Sequence, residues 1–131
     1  MSENKRTVAR YIDGFRASDH ELVLSCLTDD VEWEIPGLFR VTGKDAFDKE
    51  IETEAFVGSP AISITRMTEE NDVVVAEGTV RTRRKDDGVL ELAFADVFLM
   101  ERGQIKRLIS YLMEINAPRP RALSAPGRTS R

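Results

Sequence analysis

The chain has 131 residues, of which 41% are hydrophobic and 32% charged, and its formal net charge at pH 7 is −4. This size and composition fit one globular domain with a core and a cavity, and they argue against general disorder. A single cysteine and a single histidine exclude a disulfide framework and a His/Cys zinc site within one chain, and the acidic balance argues against nucleic-acid binding through a basic face. We therefore expect no metal and no cofactor.

The two ends of the chain are polar. The N-terminal residues lead directly into an amphipathic pattern without the apolar segment of a signal peptide, and no run of about 18 apolar residues occurs anywhere. We therefore expect a cytoplasmic protein that makes no membrane contact. Residues 117–131 contain four arginines and no acidic residue, which predicts a flexible basic tail after a folded domain of residues 1–116.

The N-terminal part of the sequence predicts two helices. The buried stripe of the first helix consists of residues at helical spacing, namely Val8, Tyr11, Ile12 and Phe15. Ser18 and Glu21 have the spacing of a capping box, which predicts that a second, short helix begins at Ser18.

A strand and a third helix are predicted next. Residues 31–35 alternate apolar and acidic side chains, which is typical of a strand with its apolar residues buried and its carboxylates facing outward. Helical spacing returns over residues 44–56, where Thr42 is placed to cap the helix and Gly58-Ser59-Pro60 to end it.

The rest of the chain predicts four strands joined by hairpins, near residues 61–67, 73–84, 89–101 and 104–115. Helices first and strands last favour an α+β domain whose helices cover the concave face of a bent antiparallel sheet. The other face of the sheet is then free for solvent or for another subunit.

The strand predicted over residues 89–101 carries a carboxyl group in an apolar row. Side chains alternate between the two faces of a strand, and the more consistently bulky face holds Leu90, Leu92, Phe94, Asp96, Phe98 and Met100. An ionised carboxylate there needs a partner or a raised pKa. Asp96 can pair with Arg81, Arg83 or Arg84 of the neighbouring strand, which would make it structural. Alternatively, it lines a cavity and exchanges a proton or a hydrogen bond with a ligand.

Tyr11 favours the second interpretation. It lies on the helix expected to cover the sheet, so its phenol is a plausible second donor at the cavity floor, although a tyrosine on a buried stripe is also an ordinary core residue. The remaining bulky residues suit either a core or a pocket wall. We take the pocket to be lined by Phe15, Trp33, Ile35, Phe39, Phe47, Phe56, Phe94, Phe98 and Tyr111.

Several of these residues fall in short motifs of a known family. The motifs are Ala9-Arg10-Tyr11-Ile12 followed by Asp19, Asp29-Asp30-Val31-Glu32-Trp33, and Phe94-Ala95-Asp96-Val97-Phe98 followed by Gly103-Gln104-Ile105 and Ser110-Tyr111. On these motifs, residues 5–115 resemble the SnoaL-like and ketosteroid-isomerase-like branch of the nuclear-transport-factor-2-like (NTF2-like) superfamily. The resemblance implies a cone-shaped, cystatin-like fold around an apolar pocket, and a homodimer formed through the outer sheet face.

Matched to steroid isomerases, Tyr11 and Asp96 fall on the two donors of the oxyanion hole. Ile35 falls on the aspartate that moves the proton in those enzymes, and Glu34 lies on the opposite face of the strand. A bulge before Pro36 would be needed to turn Glu34 inward. The resemblance therefore implies an oxyanion hole without the usual proton shuttle.

Other relatives use the same cavity differently. SnoaL-type polyketide cyclases use one pocket aspartate as acid and base, a role open to Asp96. Limonene-epoxide-hydrolase-like members need an Asp–Arg–Asp set around a water, for which Arg81 or Arg83 could supply the arginine but no second inward carboxylate is evident. We expect an isomerase-like or cyclase-like enzyme that acts on a small apolar carbonyl or polycyclic compound. The alternatives are a non-catalytic module that binds such a ligand, and a dimeric interaction protein with a filled pocket.

Overall fold

The computed structural model describes residues 1–53 and 56–116. They form three helices and six strands, in the order α1 (Glu3–Ala17), α2 (His20–Ser25), β1 (Leu27–Ile35), β2 (Phe39–Thr42), α3 (Lys44–Ile51), β3 (Phe56–Glu70), β4 (Val73–Arg84), β5 (Val89–Glu101) and β6 (Gln104–Glu114). No helix in this part of the chain has the length and apolar character that crossing a membrane requires. The predicted tail, residues 117–131, lies outside the described residues.

The six strands form one curved, unclosed sheet with the order β2-β1-β6-β5-β4-β3. Strands β3 to β6 are consecutive antiparallel neighbours, as the hairpin signals predict. Strand β1 joins β6 in parallel, a pairing between the two ends of the domain that no local pattern indicates. The α+β class and the helix-covered curved sheet are confirmed.

The helices close over one face of the sheet. Helix α1 packs mainly on β3 and also contacts β4 and β6, whereas α3 packs on β1 and β2. The predicted stripe of α1 is buried at Val8, Tyr11 and Ile12, because residues three and four apart lie on the same helix face. The helices therefore cover the sheet from both of its edges.

The predicted helix caps are displaced by one residue. Ser18 ends α1 in the left-handed conformation at φ 52°, so it does not begin α2. The N-cap of α2 is Asp19, whose side chain accepts a hydrogen bond from the Leu22 backbone nitrogen at 3.1 Å. At α3 the N-cap is Gly43 at φ 91° without a side-chain cap bond, because Thr42 is still the last residue of β2.

The third helix is shorter than predicted and the strand after it is longer. Helix α3 ends at Ile51, and Gly58-Ser59-Pro60 lies inside β3 instead of terminating a helix. The register of β3 shifts between Val57 and Ala61, and Gly58 has a φ of 76°. Strand β3 is at the sheet edge, and a bulged edge strand accommodates a proline that has no N–H to donate.

The core and the cavity share the concave face of the sheet but lie at different ends of it. On β5, Phe98 and Met100 belong to the buried core, whereas Leu92, Phe94 and Asp96 line the cavity. Even-numbered residues of one strand therefore serve two purposes, because the helices seal only one end of the curved sheet.

Candidate functional site

A cavity of about 280 Å³ lies between the helices and the concave face of the sheet. Its wall is mostly apolar and is formed by residues of α1, β1, α3 and β3 to β6. The polar residues along it are Tyr11, Ser18, Glu50, Glu52, Thr53, Thr82, Asp96 and Ser110. An apolar cavity with a few polar groups is the usual form of a small-molecule site.

Seven of the predicted site residues line this cavity. They are Tyr11, Phe15, Trp33, Ile35, Phe56, Phe94 and Asp96. They come from four elements, α1, β1, β3 and β5, so the fold brings the two proposed catalytic residues and part of the aromatic set to one place.

Four residues predicted for the pocket lie elsewhere. Phe47 and Phe98 are fully buried in the core and flank the Tyr11 ring at centroid distances of 6.2 and 5.4 Å. Phe39 packs edge-on against Trp33 at 5.2 Å. Tyr111 is 51% exposed because it alternates with the inward-facing Ser110 on β6. Hydrophobicity alone does not distinguish a core position from a pocket wall.

Asp96 lies in the middle of β5, between Ala76 of β4 and Ser110 of β6. Burial raises the pKa of its carboxyl group to about 7, and a hydrogen bond with Ser110 opposes that rise. Near neutral pH, both the acid and the carboxylate are therefore well populated, as a group that both accepts and returns a proton requires.

Tyr11 faces the same cavity from α1 and is only 3% exposed. Burial raises the pKa of its phenol well above 10, and the negative charge of Asp96 and then Cys26 act in the same direction. The phenol therefore keeps its proton at neutral pH. The described residues offer its hydroxyl no hydrogen-bond partner, so it is available to a ligand.

None of the three arginines considered as partners of Asp96 forms an ion pair with it. Arg81 and Arg83 are exposed on the outer face of β4, and the residue between them, Thr82, lines the cavity. Arg84 lies 3.6 Å from the carboxylate of Glu114. The ion-pair interpretation of Asp96 is therefore wrong, and the arginine of an Asp–Arg–Asp site is not supplied by Arg81 or Arg83.

Glu34 also remains outside the site. The Nη2 of Arg107 donates to its carboxylate at 3.3 Å on the outer face of the sheet, while Ile35 lines the cavity. Strand β1 pairs regularly with β2 from Glu32 to Ile35, so no bulge reverses the two residues. The position that holds the proton-moving aspartate in steroid isomerases is therefore occupied here by the apolar side chain of Ile35.

Sequence reasoning missed Ser110. Its side chain is 4% exposed and accepts a hydrogen bond from Trp33 Nε1 at 3.0 Å. An unshifted hairpin around Arg102-Gly103 would place Ile109 opposite Asp96. A register shift between Leu99 and Met100 brings Ser110 there instead, and nothing in the sequence marks that bulge.

The acidic residues of the α3 end were also missed as cavity residues. Glu50, Glu52 and Thr53 line the cavity, and the ring of His20 on α2 bonds Glu52 through Nε2 and Asp48 through Nδ1 at 2.5 and 2.6 Å. Within the described ranges no lysine, arginine or histidine lines the cavity, and no three potential metal ligands converge. The described wall therefore carries only acidic ionisable groups and a phenol.

Comparison with solved structures gives the same fold. An NTF2-like protein of unknown function from Burkholderia pseudomallei has a TM-score of 0.79 at 24% identity, over 86% of this chain and 92% of that one. An LEH-like epoxide hydrolase from Mycobacterium tuberculosis has a TM-score of 0.75 at 20% identity, over 85% and 83%. A candidate SnoaL-like polyketide cyclase from Shewanella putrefaciens has a TM-score of 0.76 at 11% identity, over 86% and 90%.

Comparison at the level of sequence identifies one family. No curated protein matches the chain. The model of the SnoaL-like domain family matches residues 8–108, a span that contains α1 from Val8 onward, the whole of β1 to β5, and both Tyr11 and Asp96. The resemblance drawn from the short motifs is thus confirmed, and the chain belongs to the SnoaL-like domain family.

Proposed function

We propose that the chain is an enzyme that moves a proton at a carbon atom next to a carbonyl group of a small apolar compound. The observation that carries this proposal is the Asp96 carboxyl, which lies in an apolar cavity with a pKa near 7. A base with such a pKa is present in its reactive form at neutral pH and is strong enough to accept a proton from an activated carbon.

The proposed step uses two residues. The Asp96 carboxylate accepts a proton from the carbon, the C–H electron pair forms a new C=C bond, and the carbonyl oxygen becomes an enolate oxygen. The Tyr11 hydroxyl donates a hydrogen bond to that oxygen, which stabilises the developing charge in a mostly apolar cavity. Asp96 then returns its proton, either to another carbon of the same ligand or to the alkoxide formed when the enolate attacks a second carbonyl.

The first outcome is an isomerisation and the second is a ring closure. Both need a single carboxyl group that acts first as base and then as acid. Asp96 fits that role without a second, proton-moving aspartate at the position of Ile35. Membership of the SnoaL-like family and the likeness to a candidate polyketide cyclase support this class. Epoxide hydrolysis of the Asp–Arg–Asp type is not supported, because Arg81 and Arg83 face outward.

The cavity also favours a neutral ligand. A volume of about 280 Å³ is at the small end of ligand sites, which suits a compound of two or three rings. The wall residues that ionise, Glu50, Glu52 and Asp96, are all acidic, so an anionic ligand would meet like charges in a medium of low polarity.

Proton transfer can be tested without the natural substrate. The bicyclic ketone 2-tetralone is incubated with the full chain in D₂O, and exchange of its hydrogens next to the carbonyl is followed by NMR. We expect exchange above the buffer rate, and about a hundredfold or greater loss of that acceleration in Asp96→Asn, since removal of a general base costs about 10²–10⁴ in rate.

The control variant is Asp29→Asn. Asp29 is fully exposed and lies 3.6 Å from Lys44, an exposed ion pair of little energetic weight. It should exchange the ketone at the wild-type rate. Equal exchange by Asp96→Asn and wild type, or no acceleration by a wild-type protein that demonstrably binds the ketone, would rule the proposal out.

A further inference from the structure

Three polar side chains lie next to one another on neighbouring strands of the cavity wall. Trp33 on β1 donates its indole N–H to the Ser110 oxygen on β6 at 3.0 Å. Ser110 lies directly opposite Asp96 on β5 and both side chains line the cavity, so the Ser110 hydroxyl faces the Asp96 carboxyl, whose pKa it lowers. All three residues line the cavity. Among the described residues, Trp33 and Asp96 have no direct hydrogen bond to each other, and Ser110 lies between them.

The direction of these bonds follows from the number of hydrogens. An indole N–H only donates, whereas a serine hydroxyl has one hydrogen and two lone pairs. Because the Trp33 hydrogen occupies one lone pair of Ser110, the hydroxyl keeps its own hydrogen available for the Asp96 carboxyl that it faces. A hydrogen bond donated to a carboxyl group favours the ionised form of that group.

We propose that Trp33 is a positioning residue that acts on Asp96 through Ser110, by holding the serine hydroxyl as a donor to the carboxylate. The Trp33 indole also stacks on Phe47 at a centroid distance of 4.6 Å, which fixes the ring that supplies the N–H. Asp96 is the acid and base of the proposed function, but the Trp33–Ser110–Asp96 link exists without any substrate.

Among the other described groups around Asp96, the Tyr11 phenol alone can also favour the carboxylate. Tyr11 faces it from α1, and Glu50 and Glu52 line the same cavity from the α3 end. The β4 residues opposite and beside it, Ala76 and Gly78, carry no charge. Glu50 and Glu52 act against ionisation of Asp96 whenever they are charged. Apart from the free phenol of Tyr11, Ser110 is therefore the described group that favours the carboxylate form of Asp96.

The proposal is tested by titration of the ligand-free chain. The Asp96 carboxyl carbon is observed by NMR in protein with ¹³C-labelled aspartate, and its midpoint is compared between variants. We expect Ser110→Ala to raise the midpoint by about one pH unit, the size of one hydrogen bond to a charged group. Trp33→Phe should raise it in the same direction by less, and Ser110→Thr, which keeps the hydroxyl, should leave it near the wild-type value.

The direction in which Trp33→Phe shifts the Asp96 midpoint shows whether Trp33 acts by orienting Ser110 or by packing. A loosened wall would admit water and lower the midpoint toward that of an exposed aspartate, whereas a lost donor raises it. Phe15→Leu is the matched control, because Phe15 contacts Trp33 edge-on at 5.9 Å and has no hydrogen bond to lose. It should not raise the midpoint.

A second measurement needs no Trp33 variant. The chain has one tryptophan, so its indole N–H gives a single NMR signal. That signal should titrate with the Asp96 midpoint in the wild type and lose this titration in Ser110→Ala. An indole signal that ignores Asp96, an unchanged midpoint in Ser110→Ala, or an unchanged or lowered midpoint in Trp33→Phe would overturn the proposal. Because no substrate is used, these results do not depend on the ketone exchange, and either proposal can fail alone.

Discussion

Two residues at the cavity, Asp96 and Tyr11, have unusual acidities for the same physical reason. Both are charged in the deprotonated form, and burial in an apolar wall disfavours that form. The ordinary pKa of a carboxyl group is much lower than that of a phenol, so the same upward shift has different consequences for the two residues. The carboxyl reaches the range in which it titrates at neutral pH, while the phenol becomes a permanent donor. One environment thus produces a base and a hydrogen-bond donor side by side.

Tyr11→Phe should separate the donor role from packing. The described residues leave the Tyr11 hydroxyl without a partner, and its ring is held by Phe15, Phe47 and Phe98. We therefore expect the free energy of unfolding to stay within about 1 kcal/mol of wild type, since no hydrogen bond is broken. Ketone exchange should fall by about 10²–10³, the usual effect of removing one donor to an oxyanion.

Both quantities can be measured on one preparation, by denaturant unfolding and by NMR exchange. A strongly destabilised Tyr11→Phe with a normal exchange rate per folded molecule would show that Tyr11 is a core residue, which is the ordinary role of a tyrosine on a buried stripe.

At the scale of elements, local patterns predicted most helices and strands but not their ends or their partners. The displaced caps at Ser18 and Thr42, and the early end of α3 at Ile51, depend on where a neighbouring element takes over the chain. The short strand β2 was not predicted at all, because a four-residue segment has too little periodicity to recognise. Its place was decided by pairing with β1.

Helices α2 and α3 are joined by the only histidine of the chain. His20 bonds Asp48 and Glu52, and these bonds raise its pKa above 6.5. A raised folded-state pKa stabilises the fold at pH values below the unfolded pKa, and this stabilisation is lost as the pH rises through the folded value. His20→Gln should therefore lower the melting temperature at about pH 6, and the difference from wild type should shrink by about pH 9.

Thermal unfolding of both proteins at the two pH values checks this prediction. The side chain of His20 is about one-third exposed, so we expect a small effect. A difference that is equal at both pH values would mean that the ring acts through packing and not through its charge.

At the scale of the whole molecule, a carboxyl group in the cavity wall lowers the free energy of unfolding when it is ionised. Asp96 has a raised pKa, so the folded state binds its proton more tightly than the unfolded state between about pH 4 and pH 7. Stability from this group is therefore lost as the pH rises through that window, and it is fully lost above it. A polar residue without charge at position 96 avoids the loss.

Asp96→Asn should accordingly be more stable than wild type at neutral and alkaline pH. By linkage, the advantage of the variant should grow by about 2–3 kcal/mol between about pH 5 and pH 8. Denaturant unfolding of the two proteins at both pH values measures it, and all other titrating groups cancel in the difference. A constant advantage would mean that Asp96 is already ionised, or already neutral, throughout this range.

The homodimer through the outer sheet face stays a prediction, as does the compartment of the protein. The outer face carries exposed apolar side chains, among them Tyr111 and Met113 at 51% and 68% exposure.

The sequence by itself determined the features that depend on neighbouring residues. The stripe of α1, the hairpin order of β3 to β6 and the position of Asp96 in an apolar row all follow from the periods of helices and strands, which are properties of the local backbone. The short motifs added the family and, with it, the pairing of Tyr11 with Asp96.

Only the tertiary structure decided which residues meet across the sheet. The parallel pairing of β1 with β6 and the bulge between Leu99 and Met100 bring Trp33, Ser110 and Asp96 together. The separation of Phe47 and Phe98 in the core from Phe56 and Phe94 at the cavity was decided in the same way. The physical reason is that register and burial are set by contacts between segments far apart in the chain, and a one-residue shift in register changes which side chains face each other.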